Sequence, residues 1–151
     1  MKQTALITGA SNGIGLELAK IHAKQGGDLV LVARSADKLA QLAEELRSQY
    51  GVLVTVIAQD LTAPQAAQAV FAETERLGIQ VDILMNNAGI GGHGRFFERE
   101  LAKEQQMIQL NITTLTELTH LYLQGMVARR RGKILNVSST ASFMPGPLQA
   151  V

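Results

Sequence analysis

The chain has 151 residues, 46% hydrophobic and 18% charged, with a formal net charge of +1 and neither cysteine nor tryptophan. That suits one compact domain, gives no electrostatic reason to expect nucleic acid or an anionic membrane, and excludes disulfides, thiolate metal sites and a cysteine nucleophile. The opening MKQTALITGA lacks the apolar core of a signal peptide, and no apolar run approaches the ~18 residues that span a bilayer, so the expected residence is cytoplasmic.

Two kinds of segment then alternate. TALIT at 4–8 is apolar and β-branched, as a buried strand requires, and it runs into TGASNGIG at 8–15. From 14 to 25, Ile14, Leu18 and Ile21 recur every three or four residues, the spacing of one helical face. LVLVA at 29–33 predicts the second strand, and Leu39, Leu42 and Leu46 predict a helix over 36–49. LVTVIA at 53–58 reads as a third strand. Its following helix is expected over 64–78, with Thr62 as N-cap and Pro64 in the first turn. DILMNN at 82–87 is the fourth strand. One long helix is expected near 100–130, ending in the arginines 129–131 as a solvated terminus and stopping at Gly132. KILNVS at 133–138 is the fifth strand.

Strands separated by helices need crossover connections, hence a parallel sheet covered on both faces. The fold class is therefore α/β: a doubly wound, Rossmann-like sheet of five strands with flanking helices, one nucleotide-binding domain over residues 1–151. With no helix after the fifth strand, that strand is expected to be an unprotected edge with apolar surface nearby, favouring association.

The glycine cluster carries the first chemical signal. Gly9 turns the chain off the first strand. Gly13 and Gly15 open the first helix, where a missing Cβ lets backbone approach a pyrophosphate and lets helix pack on strand. Ser11, Asn12 and Ile14 complete the loop, and the helix start behind them offers unpaired N–H groups to phosphate. The spacing is Gly-x-x-x-Gly-x-Gly, not the commoner Gly-x-Gly-x-x-Gly, and its place between strand and helix speaks against a plain glycine-rich turn. At the tip of the second strand stands Arg34, nineteen residues after Gly15, where an acid would bind a ribose diol. A guanidinium pairs instead with a 2′-phosphate, and Ser35 adds a hydroxyl, so NADP(H) is the expected cofactor and NAD the less favoured one. A solvated arginine at a strand end is the competing reading.

TGASNGIG, QDLT at 59–62, NNAG at 86–89, QLNITT at 109–114 and ILNVSS at 134–139 together resemble the short-chain dehydrogenase/reductase family, in order and over essentially the whole chain. The resemblance implies an oxidoreductase that moves hydride between NADP(H) and a small-molecule carbonyl or alcohol substrate. It also implies a homo-oligomer, a dimer or tetramer, pairing through the long helix. It places Asp60 at the adenine ring with Leu61 beside it, and Asn87, Ala88 and Gly89 along the cofactor cleft. It makes Asn111 a catalytic-site residue that holds a relay water by distorting its helix, and Ser139 the substrate-orienting serine, with Ser138 a structural neighbour. From the residues alone, Asp60 reads equally as a cap of the following helix, and Asn86 and Asn87 as partners of backbone groups at a strand end. His93 has no ligand-spaced partner and His22 and His120 lie far apart, so no metal is expected.

The same resemblance implies a proton-transferring tyrosine with a lysine four residues later, whose charge favours the phenolate. That tyrosine follows the serine by about thirteen residues, which from Ser139 lands just after Val151. Tyr50 and Tyr122 are followed four residues on by Val54 and Met126, so neither makes the pair. The chain is thus expected to hold the cofactor half of an enzyme and to be catalytically incomplete. A non-catalytic, redox-sensing or regulatory nucleotide-binding module is the alternative; Ser139 and Asn111 speak against it, because pure binding needs neither.

Overall fold

A computed structural model describes residues 2–144 and 146–151. Strands β1 (Thr4–Thr8), β2 (Asp28–Ala33), β3 (Val54–Ala58), β4 (Ile83–Asn86) and β5 (Lys133–Asn136) form one parallel sheet in the order β3-β2-β1-β4-β5. Thr4 lies opposite Asp28, Ala5 opposite Ile83, and Ile83 opposite Lys133. The chain winds outward from β1 to β3, then crosses back to β4 on the other side of β1. The loops after β1 and β4 therefore diverge at the strands' C-terminal ends, where a doubly wound sheet opens its crevice.

Alternation along β1 and β2 sorts side chains to the two faces. Ala5, Ile7, Leu29 and Leu31 pack with Leu39, Leu42 and Leu46 of α2 (Ala36–Tyr50) and with Ala19 and Ala23 of α1 (Gly13–Lys24). Leu6, Val30 and Val32 pack on the other side with Val70 of α3 (Ala66–Arg76) and Leu118 and Tyr122 of α5 (Leu115–Ala128). Each fully buried aliphatic side chain contributes about 1.5–3 kcal/mol. The edges differ. On β5 only Ile134 is partly covered, and Leu135 is 41% exposed. Leu18, Ile21, Ile83, Met85, Ile134 and Leu135 line an open hollow of about 310 Å³ between α1 and the β4–β5 edge. Among the described residues, no helix is long and apolar enough to cross a membrane.

Three local expectations are corrected. Helix α3 begins at Ala66, after both Thr62 and Pro64, with Gln65 in a left-handed conformation (φ 60°) as its N-cap. Thr62 cannot cap it because its N–H and hydroxyl both donate to Asp60 Oδ1, closing a tight turn four residues earlier. The long helix runs unbroken but is distorted at Asn111: α4 (Leu101–Ile108) passes through one widened π turn, Gln109–Thr114, into α5. Gly132 does not stop α5. Arg130 does, at φ 51°, with its N–H on Val127 O and the Arg131 N–H on Met126 O. A Cβ at position 132 would meet the Met126 side chain at 2.4 Å, so this glycine is a packing requirement. Nor is the arginine run merely solvated. Arg129 donates to Val81 O at 3.0 Å and Arg131 lies 3.7 Å from the buried Asp82, fastening the end of α5 to the start of β4.

Candidate functional site

Four strand tips converge on a cleft of about 400 Å³. Gly9, Ser11 and Asn12 enter it from β1, Arg34 and Ser35 from β2, Asp60 and Leu61 from β3, and Ala88 and Gly89 from β4. These are residues singled out from the sequence, and the fold gathers them on one wall.

The glycine loop is shaped by contacts as well as by backbone freedom. Gly9 sits at φ 68°, and a Cβ there would meet Asn87 Nδ2 at 2.9 Å and Ala88 Cα at 3.0 Å. At Gly15 a Cβ would lie 2.4 Å from Gly9 O and 2.5 Å from Asn87 Nδ2, so α1 rests on the β1–β4 junction only because that position is bare. Gly13 is different: φ is 53° and a Cβ would meet nothing within 4 Å. The two roles assigned together to Gly13 and Gly15 are thus divided, packing to Gly15 and an open approach at Gly13. Asn12 caps α1 without a side-chain hydrogen bond and the first turn carries no acid, which leaves the helix start free for an anion. Ile14 is 61% exposed just behind it.

Asn87 supports the cleft from behind and does not line it. Its Nδ2 donates to Thr8 O at 2.9 Å and Gly9 O at 3.3 Å, tying the tip of β4 to that of β1. The Thr8 hydroxyl accepts from the N–H groups of Asn87 and Ala88, both at 3.0 Å. Asn86 donates to Thr119 Oγ1 and to Asn136 Oδ1, linking β4 to α5 and β5.

Asp60 faces the cleft, and its carboxyl is held below the ordinary carboxylate value, first by the Thr62 N–H, then by the Thr62 hydroxyl, with a smaller pull from the Arg34 charge. The capping alternative fails, since α3 starts six residues further on. Asn111 lies in the π turn with its amide paired to one residue: Nδ2 donates to Ile90 O at 2.8 Å, and Oδ1 accepts from Ile90 N at 3.1 Å. From the same turn, the buried Thr114 hydroxyl donates to Leu61 O at 2.9 Å. The widened turn thereby anchors both the β3 and the β4 loop, and such turns recur at functional sites. Ser139, just past β5, is extended; its Oγ accepts from Ala141 N at 3.1 Å and keeps its proton for another acceptor. Ser138 is paired with Ser142 at 3.0 Å. Of the histidines, buried His22 bonds Gln3 O at 3.0 Å, a packing role.

Several lining residues were not foreseen: Lys38, Gln59, Thr62, Ile90 and Leu110. Lys38 stands in the first turn of α2, directly after the Arg34–Ser35 pair, which was its only signal in the sequence. Tyr122, set aside from the sequence, is buried: its OH meets Thr74 Oγ1 at 2.8 Å, its ring packs edge-on against Phe71, and burial pushes its pKa up to about 12.

Residues 3–151 match the family described as short chain dehydrogenase. The chain belongs to that family. A very-long-chain 3-oxoacyl-CoA reductase of Anas platyrhynchos is 39% identical across 95% of this chain, which covers 47% of the relative. A 17-beta-hydroxysteroid dehydrogenase type 3 of Mus musculus is 35% identical, with 100% of this chain and 50% of the relative covered. Among solved structures, a short-chain dehydrogenase from Sphingobium yanoikuyae in complex with NADPH superposes with a TM-score of 0.91 at 38% identity, covering 98% of this chain and 57% of that one. A 7beta-hydroxysteroid dehydrogenase superposes with a TM-score of 0.92 at 33% identity, over 97% of this chain and 56% of that one. The chain spans about half the length of the curated relatives it matches.

Proposed function

We propose that this chain supplies the NADP(H)-binding half of an oxidoreductase that interconverts a small-molecule carbonyl and alcohol. The observation that carries the reading is the pairing, along one cleft, of an uncapped glycine-opened helix start with Arg34 and Ser35 at the tip of β2. The residues fit the group: the bare approach at Gly13 suits a pyrophosphate over the α1 N-terminus, and the guanidinium suits a 2′-phosphate. Ser11, Asn12 and Ile14 would hold the pyrophosphate loop, Asp60 and Leu61 the adenine, and Ala88 and Gly89 the far ribose. Asn87 acts by keeping β1 and β4 together. When bound, NADP(H) supplies or accepts the hydride.

For chemistry, the Ser139 hydroxyl donates a hydrogen bond to the substrate oxygen and orients it. Asn111 acts through the widened turn, which its two hydrogen bonds to Ile90 secure against the β4 loop. No tyrosine of the chain has a lysine four residues on, so these 151 residues hold no such proton-transferring pair, and the chain alone is expected to bind cofactor without turnover. Exposed Ile108, Ile112, Leu123 and Val127 along α4–α5 support a homo-oligomer of the full-length protein, which sedimentation checks. The reading includes cytoplasmic residence, checked by fractionating cells that express the full-length protein.

Fluorescence titration with NADPH and NADH tests the cofactor assignment. NADPH is expected to bind at least about tenfold more tightly, one charge-assisted contact's worth. Arg34→Asp is expected to invert that order by removing the phosphate partner and supplying a diol acceptor. Equal affinities in the wild type would defeat the reading; an unchanged ratio in Arg34→Asp would remove Arg34 as the discriminator.

A further inference from the structure

The cleft wall next to α2 contains more positive charge than the strand tip alone accounts for. Lys38 lines the cleft with Arg34 and Ser35, in the first turn of α2. On the same side of the sheet Lys20 pairs with Glu45 at 3.2 Å and Arg47 with Glu44 at 3.8 Å, whereas Lys24 at the end of α1 is solvated. Among the described residues, neither Arg34 nor Lys38 lies within 4.0 Å of a carboxylate. The acids nearby do not change this. Asp60 has Oδ1 engaged by Thr62 and feels Arg34 only through space, and Asp37 is exposed beside Lys38 without an ion pair. Ser35, the N-cap of α2, makes no side-chain cap hydrogen bond, so its hydroxyl is unspent.

A lysine in a first helical turn is disfavoured, because it adds to the positive end of the helix dipole. Asp37 in the same turn offsets part of that repulsion, whereas Arg34 and the uncapped N–H groups of α2 add to it. Such a conflict between local preference and global fold is expected where a ligand resolves it. The ligand that resolves it is a dianion. A phosphate monoester carries a charge of roughly −1.5 to −2 at neutral pH, which a single guanidinium leaves only partly neutralised.

We infer that Lys38 is the second cation of the 2′-phosphate subsite, closing it from the helix side while Arg34 closes it from the strand side. The inference rests on the NADP reading of the cleft. Arg34 supplies the directional fork, and Lys38 a mobile point charge that sets affinity more than geometry.

The test is a set of equilibrium titrations of wild type, Lys38→Gln and Lys38→Arg with NADPH, NADH, 2′-AMP and 5′-AMP. Lys38→Gln is expected to lose about tenfold in affinity for NADPH and 2′-AMP, with NADH and 5′-AMP unchanged and the loss shrinking at high salt. Lys38→Arg is expected to recover most of the loss. If the wild type prefers NADPH and Lys38→Gln keeps that preference in full, Lys38 is a solvated surface lysine and the NADP reading stands without it. Equal losses for NADPH and NADH would also overturn the inference, by showing a general effect on the cleft. A wild type that binds NADH as tightly as NADPH, or binds neither, removes the underlying reading and this one with it.

Discussion

The two ends of the sheet are built to different standards. On β1 and β2 the interior positions are essentially inaccessible, with Leu6, Val30, Leu31 and Val32 at 0–1% exposure and helices on both faces. On β5 three of the four residues are exposed, and an open apolar hollow lies beside it. The glycine loop, Arg34 and Lys38 stand at the closely packed end, whereas Ser139 stands just past the uncovered one. Nucleotide recognition needs many donors held at fixed spacing, which a fully packed scaffold provides. Ser139, the proposed substrate-orienting residue, follows a strand with one neighbour and little cover.

That contrast can be broken most directly at two leucines. Leu31→Ala on β2 is expected to cost about 3 kcal/mol, and Leu135→Ala on β5 within about 0.5 kcal/mol, in urea unfolding midpoints. Comparable costs would show that β5 is covered in solution. Next in size is Gly15→Ala. The new Cβ has to displace the Gly9 carbonyl and the Asn87 amide, for about 2 kcal/mol and a weakened cofactor site. Unaltered NADPH affinity in that variant would mean that the β1–β4 junction does not position the loop.

The smallest effect belongs to the α3–α5 side. Tyr122→Phe is expected to cost about 1 kcal/mol, the net worth of its hydrogen bond to Thr74. Because the folded-state pKa of Tyr122 is raised to about 12, its contribution is fully present below the unfolded value near 10 and is lost as pH rises through about 12. Stability measured from pH 9 to 12 should therefore fall more steeply in the wild type than in Tyr122→Phe. Parallel curves would indicate that the ring is not buried in solution.

Periodicity alone marked the strands, the first two helices and the parallel sheet, because apolar runs and three-to-four spacing are local properties that survive folding. The glycine spacing and the placement of Arg34 were legible for the same reason: a turn between strand and helix dictates its own residues. What only the structure decided was which partner each polar group takes, in most cases across a long sequence separation. Thr62 goes to Asp60 rather than to a helix cap. The helix through Asn111 widens where the Asn111 and Thr114 side chains bond Ile90 and Leu61. Two of the exposed arginines after α5, Arg129 and Arg131, also reach back to Val81 and Asp82. Lys38 belongs to the cleft only because the turn of α2 brings it beside Arg34, and Asn87 leaves the wall because Thr8 and Gly9 claim its amide. Local pattern sets which elements form. The competition of buried polar groups for partners, each costly to leave unmet, sets where they end and which side chains remain free for chemistry.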